Sequence, residues 1–300
     1  MNKKIIAAID IGSYNCRMVI VNNLLKNKIL KTISVPTNLI KNLSYSNEFT
    51  NDNIKKTINC LIKFSRKMLE YSVDSYRCIA TEACRQVINS DFFVDQVKKK
   101  TGLTVEVISA SEEAQLCFIG CRKYLKKINN EGVLFDIGGG STEFSIFDIK
   151  NNKFLTKSIS IGVINFSEKV CLYGKSEILN QLDKHFKLLK NNFLAKINPN
   201  YSLGSCSTVS TLSAVSQNLT FFDRKKIEGS ILEVDKVKIL ISTLKNLEIN
   251  EMLKHPCIKQ RYPLLLNGME ILEKIITNFP IKRIVVSQSG LTGGIIESLS

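Results

Sequence analysis

Two short stretches of the chain end an apolar run with a carboxylate and then turn on glycine. The first is Asp10-Ile11-Gly12-Ser13, after IIAAI; the second is Asp136-Ile137-Gly138-Gly139-Gly140-Ser141, after VLF. A carboxylate that closes a buried strand can hold a magnesium ion, usually through water. Glycines beside it let backbone N–H groups approach a phosphate with no Cβ in the way. Either stretch alone also reads as a strand and turn with a structural aspartate. As a pair, they would face each other across an interdomain cleft and grip one polyanion from both sides. Glu143, just past the second turn, would add a third carboxylate, or it is an ordinary outward strand residue.

Two further segments carry candidate chemistry. In ISASEEAQL (108–116), Ser109 and Glu112 have capping-box spacing, which gives Glu112 a structural task and leaves Glu113 near the helix start. A carboxylate there could act as general base on water beside a bound phosphate; it could equally be a solvated glutamate favoured by the helix dipole. In ATEACR (80–85), Thr81 ends a strand and Arg85 lies one turn into the next helix. Arg85 could chelate a phosphate or form a surface salt bridge.

The elements that must carry these residues repeat once. Asp10 and Asp136 are 126 positions apart, and the same offset aligns LKTISVP (30–36) with TKSISIG (156–162). Between these landmarks lie the β-rich stretches CRMVIV (16–21) and TEFSIFDI (142–149). Each half therefore opens with three strands joined by turns, as two homologous α/β domains would. A helix follows over about 53–71, with Ile54, Ile58, Leu61, Ile62, Phe64 and Leu69 at helical spacing. Then come a strand at 75–80, a helix from about Glu82, a strand at 104–108 and a helix from about Ser111. The polar segment 123–132 is the candidate hinge, which places the domains at 1–124 and 125–300. The second half has helices over 176–197, 234–247 and 264–278, a strand at 283–287 and a short final helix.

In order and spacing, Asp10–Ser13, ATEACR, SASEEAQL and FDIGGGSTEF resemble the exopolyphosphatase/guanosine pentaphosphate phosphatase family. GMEILEKI (268–275) and Ser289-Gly290-Leu291 resemble its later segments. The resemblance covers essentially the whole chain, in a short form. It implies an α/β fold of two duplicated actin-like (ribonuclease H-like) domains flanking a cleft; whether the last helix packs back on the first domain is left open. It implies a magnesium-dependent phosphohydrolase that releases terminal phosphate from inorganic polyphosphate or guanosine pentaphosphate. On this resemblance Glu113 activates the attacking water, and Asp10, Asp136 and Glu143 bind the metal or orient water. Gly12, Ser13, Arg85, Gly138, Gly139, Gly140 and Ser141 contact phosphate.

The chain also departs from that pattern. Tyr14 and Asn15 follow DIGS where the family has Asn-Ser or Asn-Thr. The turn that resembles GTGGT is Gly204-Ser205-Cys206-Ser207-Thr208, with two glycines lost. Asn165, Tyr262-Pro263 and Thr292-Gly293 replace charged or small family residues. A catalytically weak polyphosphate- or alarmone-binding regulator is therefore the alternative reading. An actin-like kinase would require an adenosine pocket, for which the altered turn gives little support.

Composition sets the outer limits. The chain has 300 residues, 44% hydrophobic and 23% charged, which is globular rather than disordered. Its net charge of +15 divides into +8 over 1–123 and +7 over the rest, so there is no basic tail. Such a field favours a polyanionic phosphate substrate, although a Lys- and Asn-rich composition produces it too. No nucleic-acid module or interleaved aromatic-basic stripe is present, and no apolar run reaches membrane-spanning length. Nine cysteines without CxxC, and two histidines, argue against zinc and for a reducing cytoplasm. A homodimer is left open.

Overall fold

The computed structural model describes residues 4–128, 131–151, 153–193 and 201–300. Contacts divide the chain into two units. The first is Met1–Gly120 with Gly138–Gly140 and Leu291–Ser300; the second is Cys121–Ile137 with Ser141–Gly290. The break thus falls at Gly120/Cys121, a few residues before the expected 124/125. The expected hinge includes Asn129 and Asn130, which lie outside the described residues.

In the first unit, β1 (Ile5–Ile11), β2 (Asn15–Asn22), β3 (Lys28–Pro36), β4 (Ser75–Ala80) and β5 (Val105–Val107) form one sheet in the order β3-β2-β1-β4-β5. β1 to β3 are antiparallel, whereas β1, β4 and β5 run parallel. Ile6, Ala7, Ala8 and Ile9 are fully buried. That is why β1 is apolar without alternation, as a strand covered on both faces must be.

The helix Asn51–Glu70 starts where the Thr50 side chain accepts from the Asn53 N–H. It packs on the sheet through Ile54, Ile58, Leu61, Phe64 and Met68. Leu69, included in the sequence period, is instead 80% exposed. The helix expected from Glu82 is only Glu82–Gln86, and a second runs Ser90–Thr101. Asn89 separates them: its Oδ1 accepts from the Phe49 N–H at 2.9 Å and its Nδ2 donates to the Phe49 carbonyl at 3.0 Å. This side chain pins a distant backbone segment, and the chain turns around it. The helix Ala110–Cys121 follows β5. The final helix, Gly290–Leu299, lies so close to it that a Cβ on Gly294 would overlap the Leu116 backbone.

The second unit repeats the plan. β6 (Glu131–Ile137), β7 (Thr142–Asp148), β8 (Lys153–Ile159), β9 (Tyr201–Gly204) and β11 (Arg283–Val286) take the same order, β11-β9-β6-β7-β8, with β10 (Ile231–Glu233) added at the β11 edge. The directions match those of the first sheet. The two homologous α/β domains expected from the repeat are therefore present. Phe144 stacks on Phe279 at 4.4 Å between ring centroids, with Phe186 beside both. Phe186 lies on the helix Lys175–Phe193 and Phe279 directly follows the helix Tyr262–Asn278, and both are buried in that core. The end of the expected helix 176–197 lies outside the described residues.

Candidate functional site

In a parallel sheet, loops at the carboxyl ends of neighbouring strands gather at one edge, where α/β proteins place their ligands. In the first unit those strands are β1, β4 and β5. Asp10 lies at the end of β1 and Gly12 just beyond it, Thr81 and Arg85 follow β4, and Glu113 follows the segment after β5. One end of the sheet therefore collects three of the predicted segments.

Gly12 closes a tight turn: its N–H donates to the Asn15 carbonyl at 3.0 Å, and a Cβ there would sit 3.0 Å from that oxygen. Ser13 is buried and its carbonyl accepts from the Ile40 N–H at 3.3 Å. The turn Gly138–Gly140 is counted with this unit, and a Cβ on Gly140 would come 2.8 Å from Ser13 Oγ. Only glycine permits that approach. Asp10 is half-buried and lies opposite Arg17 in the β1/β2 register.

Glu113 is buried, in the first turn of the helix Ala110–Cys121. The helix start is capped as expected on one side, with Ser109 Oγ accepting from the Glu112 N–H at 3.1 Å. The Glu112 carboxylate turns to Arg77, 3.0 Å away, so only half of a capping box forms by this contact. Glu113 Oε2 accepts from Arg85 Nη2 at 2.8 Å. Arg85 also donates to Glu82 from Nε at 3.1 Å and from Nη2 at 2.8 Å, and from Nη1 to the Ile108 carbonyl at 2.9 Å. Burial works against the Arg85 charge, yet Glu113 and Glu82 outweigh it and raise its pKa. Four of the five guanidinium N–H bonds are thus engaged. A phosphate would meet the remaining Nη1 edge, not a bidentate fork.

The second unit has the corresponding arrangement. Asp136 is the next-to-last residue of β6 and lies opposite Glu143 on β7. Glu143 is buried, and its Oε1 accepts from Ser141 Oγ at 2.6 Å and Ser158 Oγ at 2.8 Å. Ser141 therefore orients a carboxylate by its side chain. Ser158 was not singled out in the sequence, although the β7/β8 register places it directly opposite Glu143.

The GSCST turn lies at the same edge. The Ser205 N–H donates to the Phe135 carbonyl at 3.0 Å, and Cys206 begins the helix Ser207–Ser216. Gly290, at φ +36°, sits where a Cβ would overlap Ser205 Oγ and come 3.8 Å from Asp136 Oδ2. The Asp136 charge reaches two thiols nearby. Burial first, then that charge, pushes Cys206 up to about 12. Cys121 is pushed up to about 11, mainly by burial and against hydrogen bonds from Ser287 and Ser205. Both stay protonated thiols, and the described cysteines form no disulfide.

Residues 20–300 match the Ppx/GppA phosphatase family. The chain belongs to that family. It is 24% identical over 314 residues to the "putative exopolyphosphatase" of Haemophilus influenzae, covering 99% of this chain and 92% of that one. It is 28% identical over 327 residues to a bifunctional 3-dehydroquinate synthase/phosphatase of Fusobacterium nucleatum; the match takes in 98% of this chain but only 46% of that longer protein. A crystal structure of the Aquifex aeolicus Ppx/GppA family member superposes with a TM-score of 0.77 at 28% identity, covering 98% of this chain and 96% of that one.

The candidate metal donors of this Ppx/GppA chain are all carboxylates. Among the described residues no group of three His, Cys, Asp or Glu side chains gathers as a ready-made metal cage. Hard oxygen donors in ones and twos suit magnesium, which keeps waters and takes further oxygens from substrate phosphates. The donor set fits that ion. No helix among the described residues is long and apolar enough to cross a membrane.

Proposed function

We propose that this protein is a phosphohydrolase that releases terminal phosphate from a phosphoanhydride chain, with inorganic polyphosphate the first substrate and guanosine pentaphosphate the second. The observation that carries this reading is Glu113: a buried carboxylate, clamped by Arg85, on the same sheet edge as the Gly12 turn. Hydrolysis needs a base held beside a water, at a place where backbone donors can take up phosphate charge. Glu113 would take a proton from water as its oxygen attacks the terminal phosphorus. The P–O–P bond breaks and its electron pair leaves with the shortened chain.

The Gly12–Ser13 and Gly138–Ser141 backbone would cradle phosphate oxygens, and Arg85 would add one N–H. Within the second unit, Asp136 and Glu143 are the residues that would hold magnesium or its waters; within the first, Asp10 is the residue that would do so. The ion, when bound, supplies charge neutralisation at the phosphoryl group. The net charge of +15 supports a polyanionic substrate. A cytoplasmic location belongs to the same proposal and rests on the scattered free thiols. The names of the relatives do not favour the binding-only alternative.

The test is phosphate release from polyphosphate and, separately, guanosine pentaphosphate, with and without magnesium, beside Glu113→Gln. We expect magnesium-dependent release that falls by roughly 10²–10⁴ in the variant, as loss of a general base does. Undiminished release in the variant would overturn the role of Glu113. Absence of release from both substrates would overturn the activity.

A further inference from the structure

Glu82 is a buried carboxylate that the chemistry above does not use. It opens the short helix after β4, and its Oε2 accepts two hydrogen bonds from Arg85 while Oε1 accepts from Gln86. Arg85 then reaches the other way, to the Ile108 carbonyl and to Glu113 Oε2. The guanidinium is planar, so these contacts fix its orientation as well as its position. One carboxylate would be enough to neutralise a buried arginine. Here two share it, and the second is the candidate base.

We infer that Glu82 is a positioning residue for hydrolysis, acting on Glu113 through Arg85. It holds the guanidinium so that the Glu113 carboxylate has one orientation. It also offsets the Arg85 charge, so that Glu113 is not held so firmly in its ionised form that it becomes a poor base. This rests on Glu113 being the base. The charged groups facing Arg85 are Glu82 and Glu113. The neighbouring Cys84 thiol is pushed up to about 12 by burial, against the pull of Arg85, and stays neutral.

The sign follows from the charges. Glu82→Gln keeps an oxygen that can accept from Arg85 but removes a negative charge. Arg85 then stabilises ionised Glu113 more strongly. We expect kcat to fall roughly tenfold with KM within about twofold, and the acid limb of the kcat profile to move roughly 0.5–1 pH unit lower. Glu82→Asp, which keeps the charge, should return the limb to its wild-type position. A purely structural Glu82 would instead lower the fraction of folded enzyme and leave the limb in place.

Titration of the Glu113 side-chain carbon by ¹³C NMR, assigned by comparison with Glu113→Gln, reads the same link without turnover. Its midpoint should fall in Glu82→Gln and recover in Glu82→Asp. An unmoved midpoint would overturn the inference whatever the activity shows. Full hydrolysis by Glu113→Gln would sink the base assignment instead, while the titration would still decide whether Glu82 governs Glu113.

Discussion

Asp136 and Glu143 lie directly opposite one another across β6 and β7. Opposed residues of an antiparallel pair share a face, and two like charges there repel. At the matching positions of the first unit, 126 residues earlier, Asp10 lies opposite Arg17. The duplication has therefore kept the first carboxylate of each pair and reversed the charge of the second. The first unit's pair is neutral overall, and the second's is doubly acidic. The Ser141 and Ser158 hydroxyls ease the cost on Glu143, and a divalent cation would ease it further.

The first prediction follows from that repulsion. Without divalent ions, Glu143→Gln should melt about 1–4 °C above the wild type, the shift expected from removing one opposed like charge. Magnesium should raise the wild-type melting temperature more than that of the variant, and phosphate release should be lost in the variant. Thermal unfolding with and without magnesium checks this; equal magnesium shifts in both proteins would refute a metal role for Glu143.

A second prediction concerns how GMEILEKI sits on the second unit. A Cβ on Gly268, in the helix Tyr262–Asn278, would overlap Thr208 Oγ1 and come 3.0 Å from its Cγ2. Gly268→Ala should therefore destabilise the protein by about 1–3 kcal/mol, as overpacking does. Thr208→Ala in the same chain should recover most of the loss. Urea unfolding of the two singles and the double measures the coupling, and strict additivity would show that the contact is not the cause.

The balance between legible and hidden features follows physical lines. The repeat, the glycine turns and β4 could be read because a buried strand and a phosphate-sized turn restrict residue type locally. Glu82 could not: in ATEACR it looks like any solvated glutamate in a first turn, and only tertiary packing buries it. Arg85 was legible as a cation near the site, but its engagement with two carboxylates depends on where the chain returns after β5. The break at Asn89 depends on a partner 40 residues away, Phe49. Gly290 carries no local sign that its neighbour is Asp136.

A third prediction uses acid. The Glu228 carboxylate gathers Lys123 at 2.8 Å, the Tyr124 hydroxyl at 2.6 Å and the Gln288 N–H at 2.6 Å. Burial alone would raise its pKa; these donors outweigh burial and hold it below the ordinary glutamate value of 4.5. A carboxyl lowered in the folded state lends stability above its unfolded pKa, and that stability is lost as pH falls through the folded pKa. Wild-type stability should therefore drop below about pH 4.5 more steeply than that of Glu228→Gln. Urea midpoints at neutral and acid pH give the comparison, and parallel curves would contradict it.

The close seating of Gly294 on Leu116 has a consequence for biosynthesis. The first unit recruits residues 291–300 as its own helix, across an interval in which the whole second unit is translated. Its amino-terminal portion must therefore wait on the ribosome with the groove beside Ala110–Cys121 uncovered. The second unit's own last strand, β11 (Arg283–Val286), is made only shortly before that helix. The part of the protein made first is the last to be finished, and the exposed interval is when a chaperone would have most to protect.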